Sequence, residues 1–159
     1  MFLYKVNNNQ ELAALADYWV NQRPKALEFL KAKNAPIAYF VSYIVNKNSQ
    51  SMGYLKALDI ELTALANYWV NKDAQALDFL KAKYKPTAAF IDYLMNKNKE
   101  AMDFLLKNNE EIGAIAEHWA DKTKGSMDFL KAHNPPIAAF MDYVVGKNKA
   151  GLDFLLKQH

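Results

Sequence analysis

The chain has 159 residues, of which 52% are hydrophobic and 23% charged; that is enough for a domain with a real core and too apolar for a disordered segment. With no cysteine it can form neither disulfides nor thiolate metal sites, and a net charge of +3 is too mild an excess to imply nucleic acid or a membrane by itself. No run of apolar residues is long enough to span a bilayer, and the opening MFLYKVNNNQ lacks the basic region, apolar core and small-residue cleavage site of a signal peptide, so the expected setting is cytoplasmic, or a host cytosol if another export signal operates.

In chain order, Met1 to Val6 reads as the remnant of a helix, with Phe2 and Tyr4 at apolar positions of a pattern that then repeats. From residue 9 the unit is 25 residues long. Phe29-Leu30, Tyr54-Leu55, Phe79-Leu80, Phe104-Leu105, Phe129-Leu130 and Phe154-Leu155 mark it, and so does the ladder Tyr18, Tyr43, Tyr68, Tyr93, His118, Tyr143. The units are 9–33, 34–58, 59–83, 84–108, 109–133 and 134–158, after a half unit at 1–8, and together they make one repeat domain over 1–159. Alternate units differ. Odd ones carry Glu11, Glu61 or Glu111 near their start and Trp19, Trp69 or Trp119 later; even ones carry Pro36, Pro86 or Pro136 and then Ile44, Leu94 or Val144. The longer period is therefore 50 residues.

Each unit reads as two short helices. Asn9, Asn34, Asp59, Asn109 and Asn134 cap the first, with Tyr84 the exception; Asn48, Asp73, Asn98, Thr123 and Asn148 cap the second, where Arg23-Pro24 stands in unit one. Between them Asn21, Asn46, Asn71, Asn96, Asp121 and Gly146 are expected to adopt a left-handed conformation that stops the first helix. Helices of about eleven and nine residues are marginal alone and must be held by stacking on neighbouring units. Small residues at Ala13, Ala38, Thr63, Ala88, Gly113 and Ala138 allow close approach, and the Trp column at helical spacing from Leu15, Leu65 and Ile115 reads as core. The expected fold is all-α: an α-solenoid, a right-handed superhelix or curved stack, of about six two-helix repeats. The arrangement is similar to the general class of two-helix solenoids that includes HEAT-like, TPR-like and Pumilio-like arrays, with a shorter unit than any of them.

Candidate chemistry is sparse. His118, His133 and His159 are scattered, with no paired metal-ligand spacing, no phosphate-binding glycine loop and no nucleophile elbow, so neither metal, cofactor, small-molecule substrate nor catalysis is expected. Two columns of near-identical acids, Asp17-Asp92-Glu117-Asp142 and Glu28-Asp78-Asp103-Asp128-Asp153, read as a repeated structural part rather than an acid–base pair. Two surfaces remain. Phe2, Tyr4, Leu152, Phe154, Leu155 and Leu156 leave the chain ends apolar, as though open to a further unit, which points to a protein partner or a head-to-tail homo-oligomer with no membrane contact. Lys47, Lys72, Lys97, Lys122 and Lys147 line up in the turns, and with the Tyr ladder they give the alternative: a nucleic-acid binder with a cationic ridge and stacking platforms.

Overall fold

The computed structural model describes residues 1–157. His159 lies outside them. After a 3-10 helix at Phe2–Lys5 come α1 (Asn9–Asn21), α2 (Pro24–Lys33), α3 (Ala35–Asn46), α4 (Ser49–Leu58), α5 (Ile60–Asn71) and α6 (Ala74–Lys83). They are followed by α7 (Lys85–Asn96), α8 (Lys99–Asn108), α9 (Glu110–Asp121), α10 (Lys124–His133), α11 (Pro135–Val144) and α12 (Lys149–Lys157). No strand occurs among the described residues, and none of the helices is long and apolar enough to cross a membrane.

The cap residues do the expected work. Side chains of Asn34, Asp59, Asn109 and Asn134 accept from backbone amides in the first turns of α3, α5, α9 and α11, and Asn48, Asp73, Asn98 and Thr123 do so for α4, α6, α8 and α10. The cap of α1 is Asn8 rather than Asn9. Helix ends differ more. Asn21, Asn46, Asn71, Asn96 and Asp121 remain helical, and the left-handed residue is the next one: Gln22, Lys47, Lys72, Lys97 and Lys122, with Lys147 in unit six. The amide of each of these six donates to the carbonyl of the unit's ladder residue, Tyr18, Tyr43, Tyr68, Tyr93, His118 or Tyr143, and in the first five units closes the helix end. The Asn side chains are used elsewhere, as described below.

Each odd-numbered helix packs on the next odd-numbered one, and α11 packs back on α1; each even-numbered helix packs on the two odd ones that flank it in sequence, and α12 lies against α11 and α1. The contacts therefore form a closed circuit, which corrects the expectation of an open stack with apolar ends. The Leu column shows how the last unit is finished: Leu30, Leu55, Leu80, Leu105, Leu130 and Leu155 are all fully buried. At Leu155 the cover comes from the first unit, because α1 takes the place that a seventh unit would fill. Phe2 is also fully buried. Gly151 tightens the closing unit: a Cβ there would lie 2.4 Å from the Ala139 carbonyl oxygen, so α12 sits closer to α11 than an alanine would allow.

The odd-numbered helices form the inner layer, because their large aromatics converge. Trp19, Trp69 and Trp119 stand in a triangle with ring centroids 5.3 to 5.7 Å apart. One helical turn earlier Phe40, Phe90 and Phe140 come from the intervening helices and are fully buried. Large and small side chains thus alternate around the axis at each level: Leu15, Phe40, Leu65, Phe90, Ile115, Phe140, then Trp19, Ile44, Trp69, Leu94, Trp119, Val144. Offsetting the bulky groups by a turn lets six helices share one axis without overpacking. This is the physical content of the 50-residue period.

Candidate binding face

The ring has two ends, and they differ. At the N-terminal ends of the inner helices the segment 1–7 lies across the opening and seals it. Phe2 enters the axis, stacked on Phe40 (5.1 Å) and Trp19 (5.6 Å), with Trp69, Phe90 and Trp119 at its edges. Three carboxylates, one from each odd unit, hold the segment. Glu61 accepts from the Met1 ammonium (2.8 Å) and from Thr87 (2.6 Å) and faces Lys5; Glu111 accepts from the Tyr4 hydroxyl (2.7 Å); Glu11 accepts from the Asn7 amide (3.0 Å). Burial disfavours a charged Glu61, but the bonds from the ammonium and Thr87, with the nearby charges, outweigh it and leave the carboxyl below its ordinary range. Asn34 and Asn134 brace Glu11 and Glu111 from the following units. These three glutamates were visible as an odd-unit marker, and their clamp role was not, since it depends on where the N-terminal segment lands.

At the opposite end the inner helices finish, and the face is uncovered. The Tyr ladder forms a belt just inside it. The Asn46 amide donates to the Tyr18 hydroxyl, Asn71 to Tyr43 (2.9 Å) and Asn96 to Tyr68 (2.8 Å), while the Tyr93 hydroxyl donates to Asp121 (2.6 Å). Each partner lies 28 residues further on, in the next unit. Asn21 donates to Tyr143 (2.7 Å) across 122 residues, the same contact carried over the joint between the last and first units. The sixth position is a paired change: His118 replaces Tyr, Gly146 replaces Asn, and His118 Nδ1 faces the Thr123 carbonyl instead. The acids of the first column serve this belt. Asp17, Asp92, Glu117 and Asp142 accept from Asn21, from Asn96 and Asn98, from Thr123 and from Asn148.

Most of the predicted ladder residues are covered. Tyr18, Tyr68, His118 and Tyr143 are buried and only Tyr43 and Tyr93 are half-buried. Lys47, Lys72, Lys97, Lys122 and Lys147 are all exposed at the helix ends around this face, with Gln22 at the sixth place. Lys97 pairs with Asp121 (2.6 Å) and, ahead of the Tyr93 hydroxyl, holds that carboxyl below its ordinary range. Inside the rim Trp19, Ile44, Trp69, Leu94 and Trp119 are half-buried, an apolar centre with solvent on one side.

Of the residues expected at open ends, Phe2 and Leu155 are buried within the chain, Leu152 and Phe154 are half-buried against it, and only Tyr4 and Leu156 are largely exposed, at 47% and 51%. Leu152 and Leu156 line a groove with Ala13, Ala14 and Phe29 of the first unit. It matches the groove that Ala88, Ala89 and Phe104 line between units three and four. The joint between the ends is thus built like an internal one.

Comparison of the chain with family models, with curated proteins and with solved structures finds no match.

Proposed function

We propose that this protein is a non-enzymatic helical-repeat interaction module that takes a protein partner on the lysine-rimmed face. The observation that carries the reading is the rim itself. A left-handed residue other than glycine costs about 1–2 kcal/mol. Five of the six inner helices end on such a residue and the sixth, α11, is followed by one at Lys147; five of the six residues are lysine. The helix dipole favours a cation there by about 0.3–1 kcal/mol, which offsets only part of that cost. Lysine at these sites is thus a stability concession, as expected where the side chain is wanted for contact. The half-buried Trp and aliphatic centre inside the charged rim has the layout of an interaction hot spot within a polar border.

Self-assembly through the chain ends has less support than this, because Phe2 and Leu155 are already covered. A nucleic-acid role keeps the lysines and loses most of the stacking surface, since the Tyr residues are engaged in the belt.

The test is peptide display against the full-length chain, counter-screened on a Lys47→Gln/Lys72→Gln/Lys122→Gln variant; glutamine already stands at the equivalent Gln22. Selected peptides should bind the variant at least about tenfold more weakly, a loss of about 1.4 kcal/mol. Lys72→Gly should separate the two roles, raising stability by about 1 kcal/mol while weakening binding. Peptides that bind the triple variant unchanged, or no selected peptide at all, would overturn the reading.

A further inference from the structure

We infer that the partner is an acidic polypeptide segment that seats one bulky apolar side chain on the ring axis, against Trp19, Trp69 and Trp119. The inference rests on the proposed use of the lysine-rimmed face and names what that face selects.

Charge is the first argument. The six turns at 21–25, 46–50, 71–75, 96–100, 121–125 and 146–150 carry ten Lys or Arg residues against Asp73, Glu100 and Asp121, and the belt just inside them adds Asp17, Asp92, Glu117 and Asp142, which leaves at this end an excess of three, equal to the +3 of the whole chain. Asp121 is further occupied by Lys97 and Tyr93. The positive excess of the molecule is therefore concentrated around this opening, and its field favours an anionic partner.

Shape is the second argument. The Trp residues precede the left-handed rim residues by three positions, about 4–5 Å of helix rise, so the half-buried apolar centre starts below the level of the lysine backbone. A flat anionic surface, such as duplex nucleic acid or a bilayer, would meet the lysines and leave the Trp centre uncontacted. A polypeptide carrying acidic residues beside one Phe, Leu or Trp fills both, with the anchor on the axis and the carboxylates on the rim. Lysine is suited to this role: it supplies mobile point charges and lacks the planar fork by which arginine reads bases and phosphates. The opposite end cannot serve, because Phe2 already occupies the axis from that side.

The chain contains only three Trp residues, and all three lie in this centre, so their emission reports the site directly. The probes are a Glu/Asp-rich peptide with one central Phe, the same peptide with Ser for Phe, a Lys-rich peptide with the Phe, single-stranded DNA, and anionic phospholipid vesicles. The expected result is an emission change with the first peptide, binding at least about tenfold weaker for the Ser peptide, and affinity that falls as salt rises. Equal binding of the Ser peptide, equal or tighter binding of the basic peptide, tighter binding of DNA or vesicles, or an unchanged emission would each overturn it. The two readings fail separately. If the displayed peptides respond to the lysine substitutions but are neutral or basic, the acidic-anchor inference falls and the docking face stands; if they ignore those substitutions, both fall.

Discussion

At the scale of single residues, the turn between the two helices of a unit exchanges the roles read from the sequence. Asparagine tolerates a left-handed conformation well, so Asn21, Asn46, Asn71 and Asn96 were the natural helix stops. Their side chains instead reach the previous unit's tyrosine, and the backbone reversal passes to Gln22 and the lysines. Tyr93 gives this belt a pH signature. Its hydrogen bond to Asp121, then burial and the nearby carboxylate charges, push its hydroxyl up to about 12. A folded-state value above the unfolded one contributes stability that is complete below the ordinary tyrosine range and is lost as pH climbs through the raised value. Between about pH 10 and 12 the protein should therefore lose stability more steeply than Tyr93→Phe in urea melts. Parallel curves would show that the bond to Asp121 contributes nothing.

At the scale of elements, the 3-10 segment is more than the half unit its apolar pattern resembles. A half unit would have packed Phe2 and Tyr4 as an outer helix does. In the fold only Phe2 is buried, on the axis, and Tyr4 stays on the surface with its hydroxyl on Glu111. The Glu residues that hold the segment also explain Thr87, a polar residue in a column otherwise made of Leu12, Ile37, Leu62, Ile112 and Ile137: it donates to Glu61. Phe2→Ala should cost about 3–4 kcal/mol, the range for emptying a buried aromatic site, and should shift Trp emission because Phe2 touches all three indoles. A loss under about 1 kcal/mol would mean that the axis closes without its plug.

At the scale of the whole molecule, closure and alternation constrain each other. Bulky and slender units alternate around the axis, and a closed circuit can alternate only if the number of units is even; an odd number would set two Trp-bearing units side by side. Closure is not uniform, however. At the junction of units five and six the belt bond is missing, α11 stops at Val144, and α9 and α11 are the least closely packed inner pair. Gly146 fixes this local shape, since a Cβ there would lie 2.8 Å from the Asp142 carbonyl oxygen. The joint between the chain ends keeps its belt bond through Asn21 and Tyr143. Amide exchange should therefore be faster at Val145 and Lys147 than at the equivalent Val20 and Gln22, although the latter pair belongs to the unit at the chain joint. The reverse order would place the weakest junction where the chain ends meet.

The sequence by itself determined the helices, their caps and the unit. These depend on contacts within a few residues: Asn34, Asp59 or Asn98 meets amides two or three positions on, and the apolar columns follow from 3.6-residue geometry. The columns later used by the candidate face, the Tyr ladder, the lysines and the Trp series, were also legible as columns. Which of them meets solvent was decided only by the tertiary structure. A repeat specifies how one unit sits on the next but leaves the small rotation per unit unstated, and that rotation, accumulated over six steps, determines whether the last unit passes the first or meets it. Because they meet, Leu155 is covered and the Tyr143 hydroxyl finds Asn21 of the first unit. The same closure creates the axis: Phe2 fills one end of it, and the three Trp residues face outward at the other, inside the lysine rim.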